Sequence, residues 1–284
     1  MNLPAHETKH LAELDYVLPD GHSATIHQDN TSHDSTGRTV WLGAQVLSVY
    51  LHDVLASSSP FVPATSSNPL RRRRRRRVLD LGAGTGLVSL ALASVGCDVL
   101  STDLNLIVDG VLEKNVRANE TVIRANEVDQ PRLVTAVLDW NDPTNLDIRT
   151  RDDVAAERPP LGPPFDLIVT ADTVYDADLS EPLLRTLAAM SSGPFEPPTD
   201  PDRGSSASPS TPPQIYLALE RRDPSLVEAF LRSATDEWDF KCSKVDHARV
   251  RKLVENEAGG LGWDDESVWD GIEVWKLKLR KRRT

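Results

Sequence analysis

Apolar positions are sparse over residues 1–36, where His, Asp, Thr and Ser are scattered among single hydrophobes. Two short runs, Leu14–Leu18 and Ala24–Ile26, have strand character, and the remainder reads as a flexible N-terminal arm. From Thr39 the pattern changes. Val40, Trp41, Val46, Leu47, Tyr50, Val54 and Leu55 recur mostly at three- and four-residue spacing, which predicts an amphipathic helix closed by Ser57-Ser58-Ser59-Pro60. Further on, apolar strands alternate with helices. Strands are predicted at 78–81, 99–100, 133–138, 165–170, 215–219, 240–245 and 271–279. Helices are predicted at 87–95, stopped by Gly96, and at 104–120, 179–190 and 224–235. The 104–120 helix gathers Leu104, Ile107, Val108, Val111, Leu112 and Val116 on one face.

Apolar strands alternating with helices imply an α/β fold: a doubly wound, Rossmann-like sheet of seven strands, mostly parallel and covered on both faces. No long apolar helix separates the last two predicted strands, so the last strand is expected to be antiparallel. Residues 37–284 are expected to form a single domain, interrupted by disordered inserts at about 57–77 and 191–213. Both inserts are too polar to bury enough surface to offset their ordering entropy. A third polar, Pro-rich insert is expected at 141–164.

Composition narrows the class. The chain has 284 residues, with 32 Lys plus Arg against 43 Asp plus Glu, a formal net charge of −11. Seven of the basic residues form one run, Arg71 to Arg77, so the rest of the chain is more acidic still. An acidic body argues against general nucleic-acid binding. The arginine run itself admits three readings: solvated loop charge, a nuclear-import signal, or a patch for nucleic acid or an acidic partner; it sits directly before the first strand, so only its later arginines need be ordered. No apolar stretch approaches the ~20 residues of a membrane span. The first thirty residues lack the apolar core of a signal peptide. Cys97 and Cys242 alone make neither a disulfide framework nor a zinc site, so no metal is expected. An intracellular location, cytoplasmic or nuclear, follows as the expectation.

The candidate chemistry sits in Val78-Leu79-Asp80-Leu81-Gly82-Ala83-Gly84-Thr85-Gly86. Glycines let this strand-to-helix turn bend sharply and approach a ligand. The following helix points unsatisfied N–H groups at the same space. Asp103 lies 21 positions after Gly82, at the end of the next strand. A carboxylate there can accept hydrogen bonds from both hydroxyls of a ribose. The spacing departs from the dinucleotide fingerprint, because Leu87 stands where a third glycine or alanine belongs. The absence of Gly-Lys-Ser/Thr excludes a phosphate-binding P-loop.

Asp80-Leu-Gly82-Ala-Gly84-Thr-Gly86 with Asp103 resembles the motifs of seven-β-strand, S-adenosylmethionine-dependent methyltransferases. Val40-Trp41-Leu-Gly-Ala-Gln-Val-Leu, Leu138-Asp139-Trp140 and Ala171-Asp172-Thr-Val-Tyr175 resemble methyltransferase family 16, a group of protein-lysine methyltransferases. Leu219-Glu220-Arg221-Arg222 resembles its methyltransferase-like 22 branch. The resemblance implies S-adenosylmethionine as cofactor and a protein bearing the target lysine as partner. It implies that Asp80, Gly82, Ala83, Gly84 and Gly86 form the loop under the cofactor and that Asp103 takes the ribose. It further implies Trp140 against the adenine, and Trp41 and Ala171 near the methionine end. Core packing is the alternative for both tryptophans.

Asp172 and Tyr175 are the catalytic candidates. The carboxylate would orient the incoming amine, and the phenol would wall the channel with cation–π attraction. A helix N-cap is the alternative for Asp172. Glu220 is a candidate substrate contact, with a salt bridge to Arg221 or Arg222 as the other reading. His247 is read as structural or solvated. Transfer to a small amine or another protein side chain, and a catalytically silent binding module, are the rival functions.

Overall fold

The computed structural model describes residues 2–31, 36–56, 61–63, 73–124, 130–142, 161–192 and 211–280. Its centre is a seven-stranded sheet built from β5 (Arg77–Leu81), β6 (Asp98–Asp103), β7 (Leu133–Val137), β8 (Leu167–Ala171), β9 (Gln214–Glu220), β10 (Phe240–Lys244) and β11 (Ile272–Leu279). From edge to edge the order is β7-β6-β5-β8-β9-β11-β10. The pairs β5–β6, β6–β7, β5–β8 and β8–β9 are parallel. Strand β11 is antiparallel to both β9 and β10. The doubly wound fold with an antiparallel last strand therefore stands as the periodicity predicted.

Successive strand residues face opposite sides, and the central strands bury both. Val78 and Val99 join one apolar cluster with α2 (Leu42–Ala56), α3 (Leu87–Ser94) and α9 (His247–Val254). Leu79, Leu81 and Leu100 join a second with α7 (Ala177–Ser192) and α8 (Pro224–Asp236). The helix after β6 is uneven. It runs as α4 (Asn105–Ile107), a π-helical turn at Val108–Leu112, and α5 (Glu113–Ala118). Helix α6 (Glu120–Arg124) follows.

The N-terminal residues depart from the expected flexible arm. A short helix, α1 (Ala5–Thr8), leads into the antiparallel pair β1 (Glu13–Val17) and β2 (Ser23–His27). Leu14, Tyr16, Leu18, Ala24 and Ile26 are buried in the main core. Polar side chains fix the hairpin's edge. Asn119 Oδ1 accepts from Thr25 N at 2.9 Å, and Asn119 Nδ2 donates to Thr25 O at 2.8 Å. Asn115 serves His27 in the same way, at 2.7 and 3.0 Å. The alternation was visible, but each strand has few inward apolar positions among many polar ones, so its burial was not.

Two further departures concern inserts. The ends of the 57–77 insert form β3 (Phe61–Pro63) and β4 (Arg73–Arg75), paired antiparallel, and Arg77 opens β5. Arg75, expected in a loop, is only 6% exposed and donates to Gly96 O at 3.0 Å. Residues 57–60 and 64–72, most of 191–213 and most of 141–164 lie outside the described residues. Helix α9, between β10 and β11, was not predicted. It buries only Val250 and Val254 among charged neighbours, too few for the periodicity to register.

Candidate cofactor and acceptor site

The carboxyl ends of β5, β6, β7 and β8 meet at one cleft with about 870 Å³ of empty space, part of it open to solvent. Trp41, Asp80, Gly82, Ala83, Gly84, Asp103, Trp140, Ala171, Asp172 and Tyr175 all line it. Two of the site residues read from the sequence stand outside. Gly86 takes a left-handed conformation (φ 83°) as N-cap of α3, and a Cβ there would meet Leu112 Cδ1 at 2.7 Å. Its part is the turn, not the cleft wall. Glu220 pairs with Arg222, which is the salt-bridge reading. Thr36, Thr39, Ala44, Thr173 and Leu179 also line the cleft and were not anticipated from the sequence. Nothing in their residue types marks them, because tertiary folding alone delivers Thr36 and Thr39 there.

The glycine loop is tightly packed. Gly82 has φ 67°, and a Cβ would come within 2.7 Å of Thr173 Cγ2 and 3.1 Å of the Trp140 ring. Gly84 has φ 57°, and its Cβ would press on Gly37 O at 3.0 Å. Both positions therefore require glycine on conformational and steric grounds. Asp103 ties the loop to β6. Its Oδ2 accepts from Gly84 N and its Oδ1 from Leu104 N, both at 2.8 Å. Burial pushes its carboxyl up to about 6, against the opposing effect of those two N–H donors.

Asp80 lies beneath the loop and is almost fully buried. Ser89 Oγ donates to its Oδ2 at 2.6 Å, and Ser101 Oγ stands 2.7 Å from the same hydroxyl. Burial raises the Asp80 carboxyl to about 7; the Ser89 bond opposes this and the Asp103 charge adds to it.

Asp172 has φ 56°, an uncommon conformation for a residue with a side chain. Its N–H donates to Ala218 O at 2.9 Å, and its Oδ2 accepts from Ala44 N at 3.0 Å. A Cβ on Gly43 would lie 2.5 Å from both carboxylate oxygens, so the acid is seated on the first turn of α2. It thus caps a helix other than the one that follows it, while Asp176 accepts from Asp178 N at 2.9 Å in the turn into α7. Burial raises the Asp172 carboxyl to about 7, with the Ala44 N–H opposing and Glu220 contributing. Tyr175 is 54% exposed at the rim. Trp41 donates through Nε1 to Thr36 O at 2.7 Å, and Arg222 Cζ lies 4.8 Å from its ring centroid.

A doubly wound sheet, a glycine loop at its switch point and an acid closing the next strand define a nucleoside-binding α/β enzyme. The lysine methyltransferase family profile matches residues 19–194. The protein N-terminal and lysine N-methyltransferase EFM7 of Cryptococcus neoformans is 27% identical over 92% of this chain and 82% of its own length. The protein N-lysine methyltransferase METTL21A of Danio rerio is 30% identical over 67% of this chain and 71% of its own. Mouse methyltransferase-like protein 22 is 26% identical over 58% of this chain and 38% of its own. The chain belongs to the lysine methyltransferase family, and it is an S-adenosylmethionine-dependent methyltransferase.

The cleft fits that cofactor. Among the residues that line the cleft, Asp80 Oδ1 and Trp140 Nε1 are buried without a partner. One is an acceptor and the other a donor, and unsatisfied buried polar atoms are costly unless a ligand completes them. S-adenosylmethionine offers an ammonium for the first kind of atom and adenine nitrogens for the second.

Proposed function

We propose that the protein methylates the side-chain amine of a lysine on a protein substrate. One observation carries this reading: Asp172 lines the cleft together with the exposed Tyr175 and the partly buried Trp41. An acid that shares a cleft with aromatic side chains suits an approaching ammonium. The bound cofactor supplies an activated methyl group on a sulfonium. Gly82 and Gly84 admit the ligand close to the backbone, and Asp103 holds hydroxyls at the end of β6. Asp80 Oδ1 receives a donor beneath the loop. At the acceptor side, Asp172 orients the amine through its charge. Its raised affinity for protons suits it to receive one from the amine, which reacts only in its neutral form. Alignment supplies much of the acceleration in such a displacement.

The test is transfer of labelled methyl groups into a matched lysate, followed by mass spectrometry of the labelled proteins. Methyl on lysine side chains is the expected result; label confined to small molecules or nucleic acid overturns the reading. A second acceptor, the protein N-terminal amine, is favoured by the relative EFM7, which spans most of this chain and whose name includes it. An α-amine has a reference pKa of about 8 against about 10.4 for lysine, so it loses its proton more readily. Two free cysteines support a reducing compartment, the cytoplasm or nucleus, as the working location.

A further inference from the structure

Lys9 belongs to the N-terminal stretch that the sequence pattern reads as a flexible arm, yet it is held against Trp41, a residue of the cleft wall. It follows α1 directly, and the backbone around it is clamped. Ala5 N donates to Gln45 Oε1 at 2.8 Å, and Gln45 Nε2 donates to Leu3 O at 3.0 Å. Gln28 Nε2 donates to Thr8 O and Leu11 O, both at 2.9 Å. Gln45 lies one turn beyond Trp41, so the clamp fixes Lys9 relative to that indole. The Lys9 ammonium rests 3.1 Å from the Trp41 ring centroid, and Trp41 lines the cleft. Asp172 and Glu220 attract the ammonium, while Arg222 repels it. A lysine poised over an aromatic ring, in the field of Asp172, occupies the surroundings proposed above for a substrate lysine.

We propose that Lys9 is a methyl acceptor for its own molecule, so that the enzyme modifies its N-terminal segment in cis. The inference rests on the methyltransferase reading given above. The Lys9 amine, once neutral, forms the new N–C bond as the C–S bond of S-adenosylmethionine breaks. S-adenosylhomocysteine leaves as a neutral thioether, and the proton lost from nitrogen goes to water. Desolvation, and secondarily the Arg222 charge, hold the Lys9 ammonium below the usual lysine range, which enlarges the neutral fraction.

Full-length protein is incubated with S-adenosylmethionine at several protein concentrations, and Lys9 is read by peptide mass spectrometry. An addition of methyl at Lys9, at a rate per molecule independent of protein concentration, is expected. Lys9→Arg should lose that mark and retain transfer into lysate proteins. A bare Lys9 alongside intact transfer to lysate overturns the inference and leaves the wider reading standing. Loss of both overturns both, and a rate proportional to protein concentration overturns the assignment in cis. A measurement independent of turnover checks placement: lysines are labelled by reductive ¹³C-methylation and observed by NMR. The signal that Lys9→Arg removes should be shifted upfield by the indole ring and should move when S-adenosylhomocysteine is added. A Lys9 signal coincident with those of the other lysines overturns the placement.

Discussion

Replacing Asp103 by Asn tests the glycine loop and the cofactor assignment together. Both carboxylate oxygens accept a backbone N–H, Oδ2 from Gly84 and Oδ1 from Leu104. An amide has one acceptor oxygen, so in either orientation its NH₂ group confronts one of those donors. Losing one charge-assisted bond costs about 1.5–3 kcal/mol. If the loop holds its shape only with the cofactor bound, that cost weakens binding by roughly 10- to 150-fold. The loss must also depend on pH. Burial raises the wild-type carboxyl to about 6, so at pH 5 wild type carries a proton and already resembles the amide. Calorimetric titration with S-adenosylmethionine at pH 8 and pH 5 should show a large wild-type-to-variant ratio at the higher pH and one about tenfold smaller at the lower. Equal affinities at pH 8, or a ratio unchanged between the two, would refute the role given to Asp103.

Three other outcomes are expected. Asp172→Asn keeps an oxygen for Ala44 N–H but removes the charge, so methyl transfer should fall by on the order of 10²-fold while cofactor affinity holds; a parallel collapse of both would move Asp172 into the cofactor pocket. Ile26→Ala should cost about 2–5 kcal/mol in denaturant unfolding, because Ile26 is wholly buried in the hairpin, whereas a loss within ~0.5 kcal/mol would make the hairpin an ornament. Asp103, at about 6, and Asp80 and Asp172, at about 7, keep protons that the unfolded chain releases near pH 4. The folded state therefore binds more protons across that window, and cofactor-free stability should fall as pH rises from 5 to 7. A melting temperature that rises over the same interval contradicts the sign.

The parallel core was legible because Val78, Leu79, Leu100 and Ile168 sit in runs that only a strand buried on both faces explains. The glycine loop and Asp103 were legible because their chemistry demands an order along the chain. Contacts between distant elements left no local mark. Nothing in the sequence around Lys9 announces the Trp41 ring, and nothing near Asp172 announces that its carboxylate caps α2. The arginine run was legible only in part: solvated charge was one of its readings, and nothing in its composition announces that Arg75 is buried with a guanidinium N–H donating to Gly96 O.

The hairpin's attachment also sets a schedule. Thr25 takes both its hydrogen bonds from Asn119, 94 positions further along the chain. At a synthesis rate of about 5–20 residues per second, the hairpin waits ~5–20 s on the ribosome before that asparagine exists. Throughout that interval the core that Leu14, Tyr16, Ala24 and Ile26 enter is incomplete, and the edge of β2 lacks its asparagine partner. Glu13 and Asp15, on the outward face of β1, then keep the nascent hairpin charged and discourage pairing with a neighbouring chain. Their value to the protein would be counted in soluble yield during expression, not in the melting temperature of the finished molecule.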